Sequence, residues 1–491
     1  MDRVNLDMSM GKQDGKQQSM WIGATELPRS AGHRFYEKLN DLLREADFDR
    51  QVEALCAKFY EADGTGGRRS TPPGVYFRML FIGYFEGIES ERGIEWRCSD
   101  SLSLRSFLGL TFDERVPEHS TLSRIRKRLP PTVYDEVFRL VLRIVAEKGL
   151  LRGKVAGVDS TYLRADASMK AIVRRDTGEG YDEFIKKLAV EAGIEKPTAE
   201  EARRVDRSRK GKRTSNADWK SKTDEDARIA RLKDGRTRLG YKAEHVVDME
   251  SGVVVAAEIH AADQGDTQTV EATLKEARAN INAVRSPTID SDDSTSGDEP
   301  STSGSAATAR ATIALVGDKG YHKAELLRSL KKQGVRTYIS VPKSNGQHRW
   351  GDKGGYYTAR TYYANRDRSL SEKGRALMRQ RGERIERTFA HACETGGHRR
   401  VRLRGKENVA KRYSIHIAAM NLGTALRHLF GSGTPREMGR GRKRLAWLIW
   451  LLGAFMVAVA TKIKSVRIGL SQSAMPIFRA PVPAAYGRIS A

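Results

Sequence analysis

The sequence predicts an all-helical region over residues 31–150 followed by an α/β sheet domain over 151–430. Three observations support this. Apolar residues recur at intervals of three and four through the first region. From residue 154 short apolar runs rich in Val and Tyr take over. Those runs then alternate with helical stretches, which implies a sheet covered by helices.

Residues 1–30 are polar and without period, and read as a flexible N-terminus. Over 32–62, Phe35, Leu39, Leu42, Leu43, Phe48, Val52, Leu55 and Phe59 keep a helical spacing. A GTGGRRSTPPG stretch breaks the chain, and Pro72 and Pro73 lead into a second helix over 75–88. SLSLRSFLGL and PTVYDEVFRLVLRIVAEKGL continue the helical pattern.

KVAGVDSTYLRADA begins the sheet, and GYKAEHVVDMESGVVVAAEIH reads as two strands joined at a turn around Glu250, Ser251 and Gly252. A helix over 267–279, a buried strand over 311–316, a helix over 325–333 and a strand over 335–341 follow. A long helix over 371–391 and an amphipathic one over 407–430 complete the domain. Two inserts interrupt it. Residues 201–238 hold 14 Lys and Arg against 7 Asp and Glu, a basic arm or partly ordered insertion. Residues 286–309 are an acidic, Ser/Thr-rich low-complexity linker. Residues 431–491 form a basic and apolar tail.

The charge balance points to a polyanion. Lys and Arg number 87 against 62 Asp and Glu, a net +25, and each phosphate neutralised by such a surface releases condensed counterions. Cys56, Cys98 and Cys393 form no CxxC or Cys/His cluster, which excludes a disulfide framework or a zinc site and suits a reducing compartment. The first residues have no signal-peptide core. The uncharged stretch 445–461, 17 residues long, is shorter than the roughly 20 a membrane span needs. It is expected to pack as a helix against protein, with no membrane partner.

Three acids stand out by position. Asp159 follows Val155-Ala156-Gly157-Val158, and Asp318 follows Ala314-Leu315-Val316-Gly317. Each ends an apolar strand, where open α/β sheets place their ligand sites. Glu386 lies on a helix whose Ile385 and Phe389 are four apart. Carboxylates from two strands and a helix make a hard-oxygen site of the kind Mg²⁺ or Mn²⁺ prefers. Two such ions about 4 Å apart can activate a water or a 3′-hydroxyl against a phosphodiester. Without metal the three carboxylates would repel one another. Each acid alone reads equally as a helix cap or turn residue.

GVDSTYLRADAS, GYKAEHVVD, HAADQGDTQT, ALVGDKGY and ERIERTFAHACETGGHRRVRLRGKENVAKRY together resemble the DDE transposases of bacterial insertion sequences. Upstream, SERGIEWRCSDSLSLRSFLGL and VPEHSTLSRIRKRL resemble their helical N-terminal domain. The resemblance runs from about residue 72 to 430. It implies a helical DNA-binding domain before a ribonuclease-H-like catalytic domain, with Asp159, Asp318 and Glu386 as the catalytic and metal-holding acids. It further implies two Mg²⁺ or Mn²⁺ ions and double-stranded DNA as partner, both transposon terminal inverted repeats and target. The enzyme would cut the ends by hydrolysis and join them by strand transfer, as a dimer or larger assembly, in the cytoplasm at the bacterial nucleoid. A nuclease of the same fold and a decayed copy that only binds DNA remain as alternatives.

The chain departs from the family pattern at Gly382, which stands where an Arg precedes the Glu by four; Arg379 and Arg381 are its neighbours. Glu383 is a rival third acid, three residues earlier on the same helix. For DNA contact the sequence offers the basic helix after Ser120, through Ser123, Arg124, Lys127 and Arg128. Lys319 and Arg381 are further candidates, and that basic helix could equally be a solvated face. Lys242, Glu244 and His245 share a strand and receive no catalytic role. Trp219 and Trp350 could stack on unpaired bases.

Overall fold

A computed structural model describes residues 30–60, 70–209, 215–231, 235–285, 314–342 and 355–439, with Gly23 alone before them. The acidic linker, Trp350 and the apolar stretch 445–461 lie outside the described residues, as do the expected flexible terminus apart from Gly23 and Ser30 and most of the tail. No described helix is long and apolar enough to cross a membrane.

Seven helices come first: α1 (Ala31–Glu45), α2 (Phe48–Cys56), α3 (Pro73–Glu86), α4 (Glu91–Asp100), α5 (Leu102–Phe107), α6 (His119–Arg128) and α7 (Pro131–Glu147). Proline opens α3 and α7, where its missing N–H costs nothing and its fixed φ suits the first turn. Ser90 and Ser101 cap α4 and α5 by accepting from Gly93 and Leu104 amides. α6 starts at His119 with Glu118 before it, so Ser120, expected to precede the helix, lies inside its first turn.

The sheet domain follows with β1 (Val155–Arg164), β2 (Ile172–Arg174), α8 (Tyr181–Glu191), α9 (Ala199–Ser208), β3 (Trp219–Ser221) and β4 (Arg228–Arg231). β5 (Thr237–Asp248), β6 (Val254–Ala261), α10 (Asp266–Arg285), β7 (Ala314–Gly317), α11 (Ala324–Lys332) and β8 (Arg336–Ile339) come next. It closes with α12 (Gly355–Leu370), α13 (Glu372–Glu394) and α14 (Lys406–Phe430). The main sheet has the order β4-β5-β1-β7-β8, with β6 also on β5. β1 is the pivot, antiparallel to β5 and parallel to β7.

Of the two readings of the insert, the partly ordered one fits: α9, β3 and β4 lie largely within it, and α8 and α9 share a small apolar core of Ile185, Ala189 and Ala202. Trp219 is 4% exposed, edge-on to Tyr181 and Phe184, so it is a core residue and not a platform for bases.

Two buried asparagines close sheet edges that would otherwise expose unpaired backbone. Asn365 of α12 accepts from Ile339 N and donates to its carbonyl, at 3.0 and 2.8 Å. Asn421 of α14 does the same for Val254, at 3.0 and 2.8 Å. α14, expected to be amphipathic, is buried nearly all round, because it runs between α3 and α7 on one side and β6 on the other. The helical region and the sheet accordingly belong to one compact unit ending at Pro435; a second unit begins at Arg436.

Candidate active site

The parallel register of β1 on β7 matches Val155 with Ala314 and Gly157 with Val316. The observed pairing ends there: two residues further along, Asp159 is still within β1, and Asp318 lies just past the end of β7. Both acids are partly exposed; Asp318 follows β7, whereas Asp159, expected at a strand end, lies in the middle of β1, which runs on to Arg164.

Each is oriented locally. Asp159 accepts from Ser160 N at 2.8 Å, and its other oxygen lies 3.0 Å from Arg381 Nη2. That contact is an ion pair without hydrogen-bond geometry at Nη2, whereas Arg381 Nε donates properly to the Val158 carbonyl at 3.0 Å. Asp318 caps the turn Lys319–Tyr321, accepting from Gly320 N at 2.8 Å.

A third carboxylate stands opposite, one that sequence reasoning missed. Asp266, the first residue of α10, accepts from Ser160 Oγ at 2.8 Å and pairs with Lys242 Nζ at 2.8 Å. A Cβ on Gly320 would stand 2.6 Å from Asp266 Oδ2 and 3.0 Å from Asp318 Oδ1. Glycine therefore keeps open a small space between two carboxylate oxygens. The available signal was HAADQGDTQT, where an acid opens a helix after an apolar strand.

Beneath these acids lies a buried polar layer. Lys242 is 1% exposed and also donates to Thr269 Oγ1 at 2.9 Å. Glu244 is fully buried and accepts from Thr269, Thr273 and Tyr321 hydroxyls. Burial pushes the Glu244 carboxyl above its ordinary range, against the pull of Thr273, Lys242, Thr269 and Tyr321. His245, opposite Asp159 on β5, bonds Thr388 at 3.0 Å and Tyr413 at 2.7 Å and stacks on Phe389. Burial brings it down to about 3, so it stays neutral. Lys242 and Glu244 lie on the α10 side of the sheet with Ser160 and Asp266, and His245 on the α13 side with Asp159.

α13 approaches closely because position 157 has no side chain: a Cβ there would meet Met249 Sδ at 2.6 Å and Ile385 Cδ1 at 2.7 Å. Ile385, Arg381 and Thr388 face the sheet. Glu386, one residue on from Ile385, is exposed, and so is Glu383, which pairs with Arg387 at 3.1 Å. Of the three predicted acids, Asp159 and Asp318 are partly exposed and Glu386 is exposed. Among the described residues no group of three His, Cys, Asp or Glu side chains could hold a metal ion. The donors that do converge are carboxylate oxygens, chemistry that suits a hard divalent cation.

The expected DNA contacts divide. On α6, Arg124, Lys127 and Arg128 are exposed, with Arg128 4.8 Å over the Tyr60 ring. Ser123 accepts instead from the buried Arg126, itself paired with Glu91. Lys319 is exposed beside Asp318. Arg381 is buried on Asp159.

Two family models match the sequence: Transposase domain (DUF772) over residues 26–128, and Transposase DDE domain over 213–422. The chain belongs to the DDE transposases of insertion sequences. The DDE match contains Asp266, Asp318 and Glu386 and begins after Asp159. No curated protein and no solved structure matches the chain. The first match spans α1–α6, and the DDE match spans β3–β8 and most of α14 but not β1.

Proposed function

We propose that this transposase cuts DNA at the ends of its element and joins the freed 3′-hydroxyls to target DNA, with Asp159, Asp318 and Glu386 as its catalytic acids. The observation that supports the reading is the parallel register of β1 on β7, which, carried two residues past its last pair, Gly157 with Val316, aligns Asp159 with Asp318. A ribonuclease-H-like catalytic domain is supported by the sheet itself, in which β1 joins an antiparallel half to the parallel strands β7 and β8.

Asp159 and Asp318 would hold Mg²⁺ or Mn²⁺, two ions in the family's manner, with Asp266 facing them across Gly320. Bound there, such ions supply an activated oxygen nucleophile and stabilise the leaving oxygen. The chain's own residues fix the acids. Arg381 holds Asp159, the Gly320 amide holds Asp318, and Lys242 with Ser160 holds Asp266. Glu386 completes the set by a movement of α13 or of its own long side chain. Lys319, beside Asp318, is placed to meet a phosphate. The partners are the terminal inverted repeats and a target duplex at the nucleoid, engaged by a dimer or larger assembly, since two ends are cut together.

The test is a plasmid carrying the inverted repeats that flank the gene, incubated with protein, Mg²⁺ and a supercoiled target. Excision and joined products are expected, and Asp159→Asn should abolish both while retaining DNA binding. Cleavage without joining would make the chain a nuclease. Full activity of Asp159→Asn would refute the assignment.

A further inference from the structure

We propose that a cationic cleft at the far end of β1 grips the phosphate backbone of the DNA flanking the cut; the identity of the partner rests on the proposed function. The cleft is open, about 1120 Å³, and Arg164, Lys170, Arg236, Arg238, Arg400 and Arg404 line it. They come from three places: the end of β1 with the loop behind it, the start of β5, and the loop leading to α14. The fold builds this convergence with backbone bonds. Arg164 N donates to the Arg399 carbonyl at 3.3 Å, and Val401 N donates to the Arg164 carbonyl at 2.9 Å, so the loop is zipped to the strand.

Six cations so close repel one another unless an anion neutralises them. Among the described residues the lining holds a single acid, Asp166, which pairs with Arg400 at 2.6 Å and Arg404 at 3.3 Å. The lining keeps a positive excess, with Arg164 and Lys170 exposed on it. Ser168, Thr223 and Thr237 add hydroxyls of the kind that position phosphates without reading sequence. The spacing from the acids also suits a duplex. Asp159 and Arg164 are five residues apart on one strand, about 17 Å at roughly 3.3 Å per residue. Phosphates along one DNA strand advance about 3.4 Å each, so the cleft meets DNA about five base pairs from the cut. The cleft, unlike α6, shares its strand with the candidate catalytic acid.

The test is fluorescence anisotropy of the full chain on a labelled 30-base-pair duplex, without divalent cation, over a KCl series. Lys170→Gln with Arg236→Gln should weaken binding at least 10-fold and lower the slope of log K against log salt by about 1.8, at about 0.9 per phosphate contact. Asp166→Asn frees Arg400 and Arg404, and should tighten binding several-fold with a steeper slope. Damage to the fold cannot produce that gain. An unchanged slope in the double variant, or no tightening in Asp166→Asn, overturns the cleft as the DNA grip while leaving the proposed function standing. A wild-type chain that binds no duplex overturns both.

Discussion

Replacing Lys242 by Met probes the layer beneath the acids. The thioether fills the space of the lysine stem but removes the ammonium that faces Glu244 at 3.8 Å and Asp266 at 2.8 Å. Asp266 is about one-third exposed and can be resolvated, so its loss is small. Glu244 is fully buried and cannot. Breaking a buried pair by removing one partner costs about 3–5 kcal/mol. The sign follows from the raised Glu244 carboxyl, which loses one of its lowering influences and rises further. A raised carboxyl penalises the folded state once the unfolded chain has lost its proton, by up to about 1.4 kcal/mol per pH unit. The penalty disappears as pH falls below the ordinary carboxylate range. Urea unfolding at pH 8 should therefore show the full loss, and at pH 5 a much smaller one. Lys242→Met with Glu244→Gln should recover most of it, because both charges are then gone. A loss below about 1 kcal/mol at pH 8, or an equal loss at both pH values, would refute the reasoning.

Gly320→Ala should fill the space between Asp266 and Asp318; Mn²⁺ binding followed by electron paramagnetic resonance is expected to fall at least 10-fold with little change in Tm. Trp219→Ala should destabilise the insert by about 3–5 kcal/mol and leave duplex affinity unchanged, whereas a selective loss of single-strand binding would restore a stacking role. His245→Gln tests the buried histidine. Its folded value of about 3 means that the unfolded chain binds a proton the folded chain refuses once pH drops below about 6.5. Stability should thus fall with pH in the wild type, and the substitution should flatten that limb by up to about 1.4 kcal/mol per unit; identical slopes in thermal unfolding would count against it.

Much of the fold was legible because one signal dominated each part. Apolar spacing marked α1, α3 and α7, and the short Val-rich runs marked β1, β5, β6 and β7. Asp159 and Asp318 were visible because each ends such a run. What the sequence hid was everything that depends on two distant segments. Trp219 reads as isolated along the chain, yet Tyr181 and Phe184 meet it through the insert's own small core. α14 reads as amphipathic because His416, Asn421 and Arg412 interrupt its apolar faces, but each of these polar residues is buried with a partner on another element. Asp266 was passed over because an acid opening a helix is so often a cap. Only the glycine between it and Asp318 reveals the convergence.

The sequence raised a difficulty that the structure answers: carboxylates crowded at one sheet end repel. Three different counter-groups meet three acids. Asp159 has a guanidinium from α13, Asp318 has a backbone N–H of its own turn, and Asp266 has an ammonium anchored on β5. The differences have consequences. A backbone amide cannot leave, so Asp318 is held in one orientation. Lys242 is buried and bound on several sides, so Asp266 is also fixed. Arg381 alone belongs to the helix that carries Glu386, and its ion pair with Asp159 lacks hydrogen-bond geometry at Nη2. Of the three restraints it is the one that can shift without dismantling the core. If α13 moves to bring Glu386 toward the aspartates, the Arg381–Asp159 contact must change with it, so the gap in the acid triad and the departure from the family's Arg position meet at one side chain.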